Sequence, residues 1–385
     1  MTDSYTDRWS ASLMNNYGTP PLTLVRGEGA YVYDDGGKRY LDLLAGIAVN
    51  ILGHAHPRVV EAVSKQIGIL SHTSNLYAHP LTIELAERLL SLAGRSGRVM
   101  FCNSGTEANE AAFKISRLTG RIKVVAAEGA FHGRTMGSLA LTGQPAKQAP
   151  FEPLPGEVVH VPYGDIDALR AAVDDRTAMV LLEPIMGEGG VIVPPDGYLR
   201  AAQQAAHDAG ALFVLDEVQT GICRTGDWFA FQHDGLAPDM ITLAKGLGGG
   251  MPIGAVIAFG DTAELLTPGM HGSTFAGNAV CAAAALAVLD VATELDLNGA
   301  AKARGEHLES TLKDVAGPVR GRGLLRAIDL PGEVSAPVAG ALRDAGFLVN
   351  NVSSTALRLA PPLIVTDEQL DSFADALGTQ LKDLS

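Results

Sequence analysis

The chain has 385 residues, 47% of them hydrophobic and 19% charged, with a formal net charge of −14. That length exceeds most single cores and predicts two lobes with a large buried interior. The acidic balance argues against a nucleic-acid partner, because phosphate backbones need clustered Lys and Arg, yet it leaves room for a local basic pocket that takes a small anion.

The cysteines Cys102, Cys223 and Cys281 form no CxxC pair and are odd in number, which predicts reduced thiols and a cytoplasmic protein. The opening MTDSYTDRWS lacks the basic and apolar regions of a secretory leader. The longest apolar run, Val280 to Leu289, is Ala-rich and too short to span a bilayer. No membrane partner is expected, and no metal-ligand motif is present.

In chain order, AYVYDDGGKRYLDLLAG (30–46) reads as a hairpin around an Asp-Asp-Gly-Gly turn. Helical periodicity follows over 57–70 and 80–93. Strands are then predicted at 98–103, 122–127, 178–184, 211–217, 240–245 and 253–259, alternating with helices at 105–119, 165–174, 196–210 and 278–294. Most of these strands are continuously apolar, as expected when helices cover both faces of a parallel sheet. Beyond residue 295 the order changes to a long helix (297–315), short strands, and helices at 334–345 and 367–382. The predicted division is an N-terminal segment (1–50), a large domain (51–295) and a C-terminal small domain (296–385).

Ligands of open α/β sheets sit beyond the carboxyl ends of the strands, so the residues that follow each strand are the candidates. SGTEANE (104–110) opens a helix. Ser104 and Glu107 have capping-box spacing, while Gly105, Thr106 and the free N–H groups of the first turn suit a phosphate; the two readings are compatible. In FHGRT (131–135), Phe131 offers a plate for a flat ring and Arg134 a two-pronged grip for a carboxylate. His132 is either a base or a loop histidine held by a structural hydrogen bond. Glu188 lies between glycines in a turn. Asp216 ends an apolar strand, either as a cap or as a carboxylate that holds a proton on a ring nitrogen. Lys245 ends another, against the glycines of KGLGGG; burial would favour its neutral, nucleophilic form. Together these groups suit a flat, phosphorylated, heteroaromatic aldehyde.

SGTEANE, FHGRT, LDEVQTG (215–221), TLAKGLGGGMPIG (242–254), GSTFAGN (272–278) and RLAPP (358–362) occur in the order found in the class III (ω-amino) aminotransferases, which the chain resembles from NNYGTPP to RLAPPLI. The resemblance implies the fold-type-I α/β architecture: a large domain with a mostly parallel sheet covered by helices, and a smaller α+β domain built from both chain ends. It implies pyridoxal 5′-phosphate as cofactor, with Lys245 as its covalent anchor and Asp216 paired with its ring nitrogen. Gln219 would lie near the phenolic oxygen. Val218 and Phe131 would pack on the two faces of the ring, with Glu217 beside them. Ser104, Gly105 and Thr106 would bind the phosphate, joined by Thr274 of a second subunit, so a homodimer with shared active sites is implied. Arg134 and Ser273 would hold a distal substrate carboxylate, Arg358 the α-carboxylate of glutamate, and Glu188 would mask Arg358. Tyr17 and Asn75 would line the entrance.

Within the class, GIAVNILGHAHP, HTSNLY and FHGRTMGSLALTGQ most resemble members that act on acetylornithine. That implies acetylornithine and 2-oxoglutarate as substrates and a place in arginine biosynthesis, with ornithine, succinylornithine and 4-aminobutyrate as rival donors. The chain departs from the pattern at Thr106 (often Ala), Met186 (often Gln), Cys223 (often Gly) and Ala276 (usually Gly).

Overall fold

A computed structural model describes residues 4–383. Three strands come early: β1 (Leu24–Glu28), β2 (Tyr31–Asp34) and β3 (Arg39–Asp42). Then come β4 (Gly97–Cys102), β5 (Lys123–Ala127), β6 (Glu157–Val161), β7 (Thr177–Leu182), β8 (Leu212–Asp216), β9 (Met240–Leu243) and β10 (Gly254–Phe259). The C-terminal strands are β11 (Val319–Arg322), β12 (Leu325–Asp329), β13 (Phe347–Leu348), β14 (Asn350–Ser353) and β15 (Ala356–Leu359).

The large sheet has the order β4-β10-β9-β8-β7-β5-β6. Its strands are parallel except for β10, which runs antiparallel to both β4 and β9. Every residue of β5, β7, β9 and β10 is buried. Apart from Lys123, Thr177 and Thr242 these strands are apolar, and helices such as Gly105–Arg117 and Tyr198–Asp208 cover them. Not anticipated from the sequence were the edge strand β6, which is only half-buried and lacks a continuous apolar run, and the short helix Met136–Leu141.

Two four-stranded sheets flank this layer. One joins β1, β2 and β3 to β13, so residues from both chain ends share a sheet through the parallel pairing of Leu41 with Phe347. The other, β11-β12-β15-β14, carries Arg358 on an inner strand between Ala327 and Asn350. The helices Leu297–Leu312 and Asp367–Asp383 pack together at this end.

Register brings the chemistry together. Asp216 pairs with Thr242, so the last residue of β8 lies beside the segment that runs from β9 into Lys245. Strand β9 ends at Leu243, earlier than expected, and Lys245 begins a 3-10 turn with φ +42°. A non-glycine residue in that region is strained, and such strain is held by the structure around it. Cys223 sits at φ +65°, which explains why glycine suits this position and thiol chemistry is incidental to it.

Candidate active site

Beyond the carboxyl ends of β8 and β9 lies a cavity of about 420 Å³, of a size that takes a small cofactor. Ser104, Gly105, Thr106, Phe131, Arg134 and Glu188 line it, together with Asp216, Val218, Gln219 and Lys245.

One end is the start of the helix Gly105–Arg117. The Ser104 hydroxyl caps it by accepting from the N–H of Glu107 at 3.3 Å. Glu107 does not complete the capping box; its carboxylate accepts from the Asn103 N–H instead. The first-turn N–H groups of Gly105 and Thr106 have no acceptor within the helix and face the cavity end. A Cβ on Gly105 would come within 2.7 Å of the Val218 side chain, so only glycine lets the helix start close against that residue. The Thr106 hydroxyl lies 2.9 Å from that of Thr135.

Asp216 forms the floor. It is 4% exposed and heavily hydrogen-bonded. Its Oδ2 accepts from Asn109 Nδ2 and lies beside His132 Nδ1, both at 2.7 Å, and its Oδ1 accepts from the Val218 N–H at 3.0 Å. A carboxylate has about four lone-pair sites, so Oδ1 keeps one for a ligand proton. His132 is thus the histidine held by a structural hydrogen bond, and together with Asn109 it fixes the carboxylate. Neither partnership is legible in sequence, because Asn109 lies 107 residues from Asp216 and His132 lies 84 away.

Lys245 is half-buried at the cavity wall. Burial pushes its ammonium down to about 8, with Glu188 opposing and Arg358 assisting. Glu183 was not anticipated. Its carboxylate accepts from the N–H groups of Phe131 and Gly187, both at 3.0 Å, and so ties the loop of the aromatic plate to the loop of Glu188. Burial pushes this carboxyl upward.

Arg358 is 1% exposed and is not at the cavity wall. Its guanidinium donates to Glu188 and, at 3.3 Å, to Gln219 Oε1. Burial raises the Glu188 carboxyl, but the Arg358 charge, its hydrogen bond and Lys245 bring it net below its ordinary value. Arg134 lies exposed at the opposite rim, its guanidinium 5.7 Å from the centre of the Phe131 ring.

Besides Arg358, five expected site residues lie outside this cavity. Glu217, just past the end of β8, turns its carboxylate away from the cavity. Its carboxylate accepts from the N–H groups of Ala230 and Phe231 and the hydroxyl of Thr220, and burial pushes it up to about 7. Thr274 is exposed, and Tyr17 is 85% exposed. Asn75 donates to the carbonyl of Ala276 at 2.9 Å. Ser273 is linked to the cavity through Asn103, whose amide donates to its hydroxyl at 2.9 Å. Among the described residues no group of three His, Cys, Asp or Glu is placed to hold a metal ion.

The cavity fits a flat phosphorylated pyridine aldehyde. Free helix-end N–H groups wait for an anion, Phe131 and Val218 stand ready for two ring faces, a fixed carboxylate keeps one acceptor site, and a lysine has its basicity lowered by burial.

The family model for class-III aminotransferases matches residues 13–381. The chain is 63% identical to an acetylornithine aminotransferase from Mycolicibacterium smegmatis, over 97% of both chains. Among solved structures it is similar to the ornithine aminotransferase of Toxoplasma gondii, at TM-score 0.94 and 31% identity over 98% of this chain and 94% of that one. It is also similar to the acetylornithine aminotransferase of Elizabethkingia anophelis, at TM-score 0.87 and 34% identity over 98% of both.

Proposed function

Because the chain belongs to the class-III aminotransferases, we propose that it uses pyridoxal 5′-phosphate to transfer the δ-amino group of N2-acetyl-L-ornithine to 2-oxoglutarate. The products are N-acetyl-L-glutamate 5-semialdehyde and L-glutamate, a step of arginine biosynthesis. The observation that carries this reading is a pair of arginines in opposite states. Arg134 is open at the rim, whereas Arg358 is buried and closed by Glu188. Acetylornithine has one carboxylate, far from its reacting amine, and suits the open grip. Glutamate has a second carboxylate beside its amine and suits the closed one once Glu188 gives way.

When bound, pyridoxal phosphate supplies an electron sink that lets a carbon beside nitrogen lose a proton. The residues of the chain position and tune it. Oδ1 of Asp216 would hold a proton on the ring nitrogen, braced through the rest of the carboxylate by Asn109 and His132. The N–H groups at Gly105 and Thr106, beside Ser104, would take the phosphate. Phe131 and Val218 would brace the ring faces, with Gln219 near the phenolic oxygen. Lys245 would anchor the cofactor and, once released, hold or give the proton at its Nζ. Held near 8, that amine exchanges protons close to neutral pH, and a positioned acid–base group typically contributes about 10²–10⁴-fold.

A homodimer is part of the reading. Phe275 (60% exposed), Leu76 (84%) and Tyr77 (72%) gather near the segment of Thr274, and exposed apolar clusters of this kind mark protein contacts. There Thr274, Ser273, Tyr17 and Asn75 would complete the site of a second copy. The three buried free cysteines suit the cytoplasm. Residues 51–295 would act as the cofactor domain, with 1–50 and 296–385 closing over the substrate.

Steady-state rates with acetylornithine, succinylornithine, ornithine and 4-aminobutyrate, each with 2-oxoglutarate, test the reading. Acetylornithine should have the highest kcat/KM. A higher value for another donor would replace it, and sustained turnover without 2-oxoglutarate would mean an isomerising reaction.

A further inference from the structure

The rim of the cavity holds a second cation that the family motifs do not account for. Lys147 lies on the short helix Pro145–Gln148, and its ammonium stands 5.6 Å from the centre of the Phe131 ring. The Arg134 guanidinium stands 5.7 Å from the same ring. Two cations thus gather around one aromatic plate. No ion pair with a carboxylate involves either of them among the described residues; Lys147 donates to the amide oxygen of Gln144.

The placement of Lys147 is built. Gln144 anchors its own amide nitrogen on the carbonyls of Gly129 and Ala130, at 3.1 and 3.4 Å, directly before Phe131. Gln148 anchors on Leu139 and Ala140, at 3.1 and 3.3 Å. The helix is therefore fastened on both sides, and the ammonium is presented to the plate. Burial, and after it the Arg134 charge, hold Lys147 below the ordinary lysine value, with Glu188 opposing. Like charges held together without an anion favour a ligand that neutralises both.

We propose that Lys147 and Arg134 form a two-cation clamp for the distal carboxylate of the amine donor, with Lys147 as the specificity-determining partner. This rests on the reading of Arg134 as the distal grip. It gives the enzyme a reason to demand an anionic donor: a donor without that carboxylate leaves two cations facing each other.

The test uses holoenzyme. Lys147→Met should raise the KM for acetylornithine about tenfold, equal to about 1.4 kcal/mol of lost binding. Lys147→Arg should recover most of that loss. For N-acetyl-1,4-diaminobutane, the same donor without its carboxylate, kcat/KM should change less than about twofold in Lys147→Met. An unchanged KM for acetylornithine, or an equal loss with both donors, would overturn the clamp. Calorimetric binding of glutarate to holoenzyme provides a measurement that needs no turnover. Its Kd should rise about tenfold in Lys147→Met, and an unchanged Kd would also overturn the clamp. If wild-type enzyme fails to turn over acetylornithine while glutarate binding still depends on Lys147, the donor assignment fails and the clamp stands.

Discussion

The floor of the cavity and its rim are built on different principles. On the floor the carboxylate of Asp216 is fixed by His132 and Asn109. At the rim Arg134 is exposed, and Lys147 has the Gln144 amide and the Phe131 ring beside it but no carboxylate in an ion pair among the described residues. The floor would serve a permanent cofactor, and groups that never change partner are best fixed in advance, since preorganised dipoles cost nothing at the moment of reaction. The rim would serve ligands that arrive and leave, so its charges stay open until a carboxylate fills them. Substitutions on the floor should therefore remove chemistry, and substitutions at the rim should change preference.

The largest expected effect lies at Lys245. Lys245→Ala should lose the visible absorbance of the lysine-bound cofactor and, with the proton carrier gone, about 10²–10⁴-fold or more in kcat. Retention of both would break the floor's assignment at its centre. Asp216→Asn should come next, with folding preserved and turnover slowed about 10²–10³-fold, the usual cost of removing a preorganised charge partner. Because Asn109 and His132 were placed for a carboxylate, restoring the rate by raising pH should fail; near-normal turnover at any pH would show that the carboxylate acts only as a strut.

The floor also carries a stability penalty that the rim does not. Burial lowers Lys245 from its ordinary 10.5 to about 8 in the fold. Between those values the unfolded chain binds the extra proton, so the stability of cofactor-free protein should rise with pH through that window and be lowest below it. The gap corresponds to about 3 kcal/mol. Lys245→Met, which keeps the shape and removes the charge, should then stabilise cofactor-free protein by up to about 3 kcal/mol at pH 7 in urea melts. The gain should shrink towards the alkaline end, and a destabilised variant would contradict the burial cost.

How much of this the sequence disclosed follows the same divide. The runs that became β5, β7, β8 and β9 were legible because a strand buried on both faces is largely apolar. Asp216 and Lys245 were legible as polar exceptions at the ends of such runs. What stayed hidden needed register or distance. Asp216 and Glu217 are adjacent acids, and only the fold shows that one faces the cavity while the other caps the turn around Ala230. Glu183 passed as the end of an apolar strand, although its carboxylate ties two loops together. The reversed direction of β10 left no local mark, since antiparallel and parallel strands read alike when both faces are covered. Lys147 belongs to a four-residue helix with no periodicity to announce it.

The smallest effect falls where floor and rim meet, at Glu188. Its carboxylate closes Arg358, and Arg358 also reaches Gln219, so removing the acid leaves a buried guanidinium with one weak neutral partner. That unmasked charge should attract the nearer carboxylate of glutamate in every encounter. Glu188→Ala should therefore lower the KM for glutamate and raise it for acetylornithine, moving the ratio of the two kcat/KM values about tenfold toward glutamate, a shift of about 1.4 kcal/mol. The pH dependence sharpens the point. Net, the Glu188 carboxyl is held below its ordinary value by Arg358 and Lys245, so in wild type the mask should stay charged at neutral pH and give way only on the acid side. Donor preference in the wild type should drift toward glutamate as pH falls through that range, and the drift should be absent in the alanine variant. A ratio that stays constant in both proteins would mean that Arg358 is held for the architecture of the β12–β15 sheet and takes no part in choosing between donors.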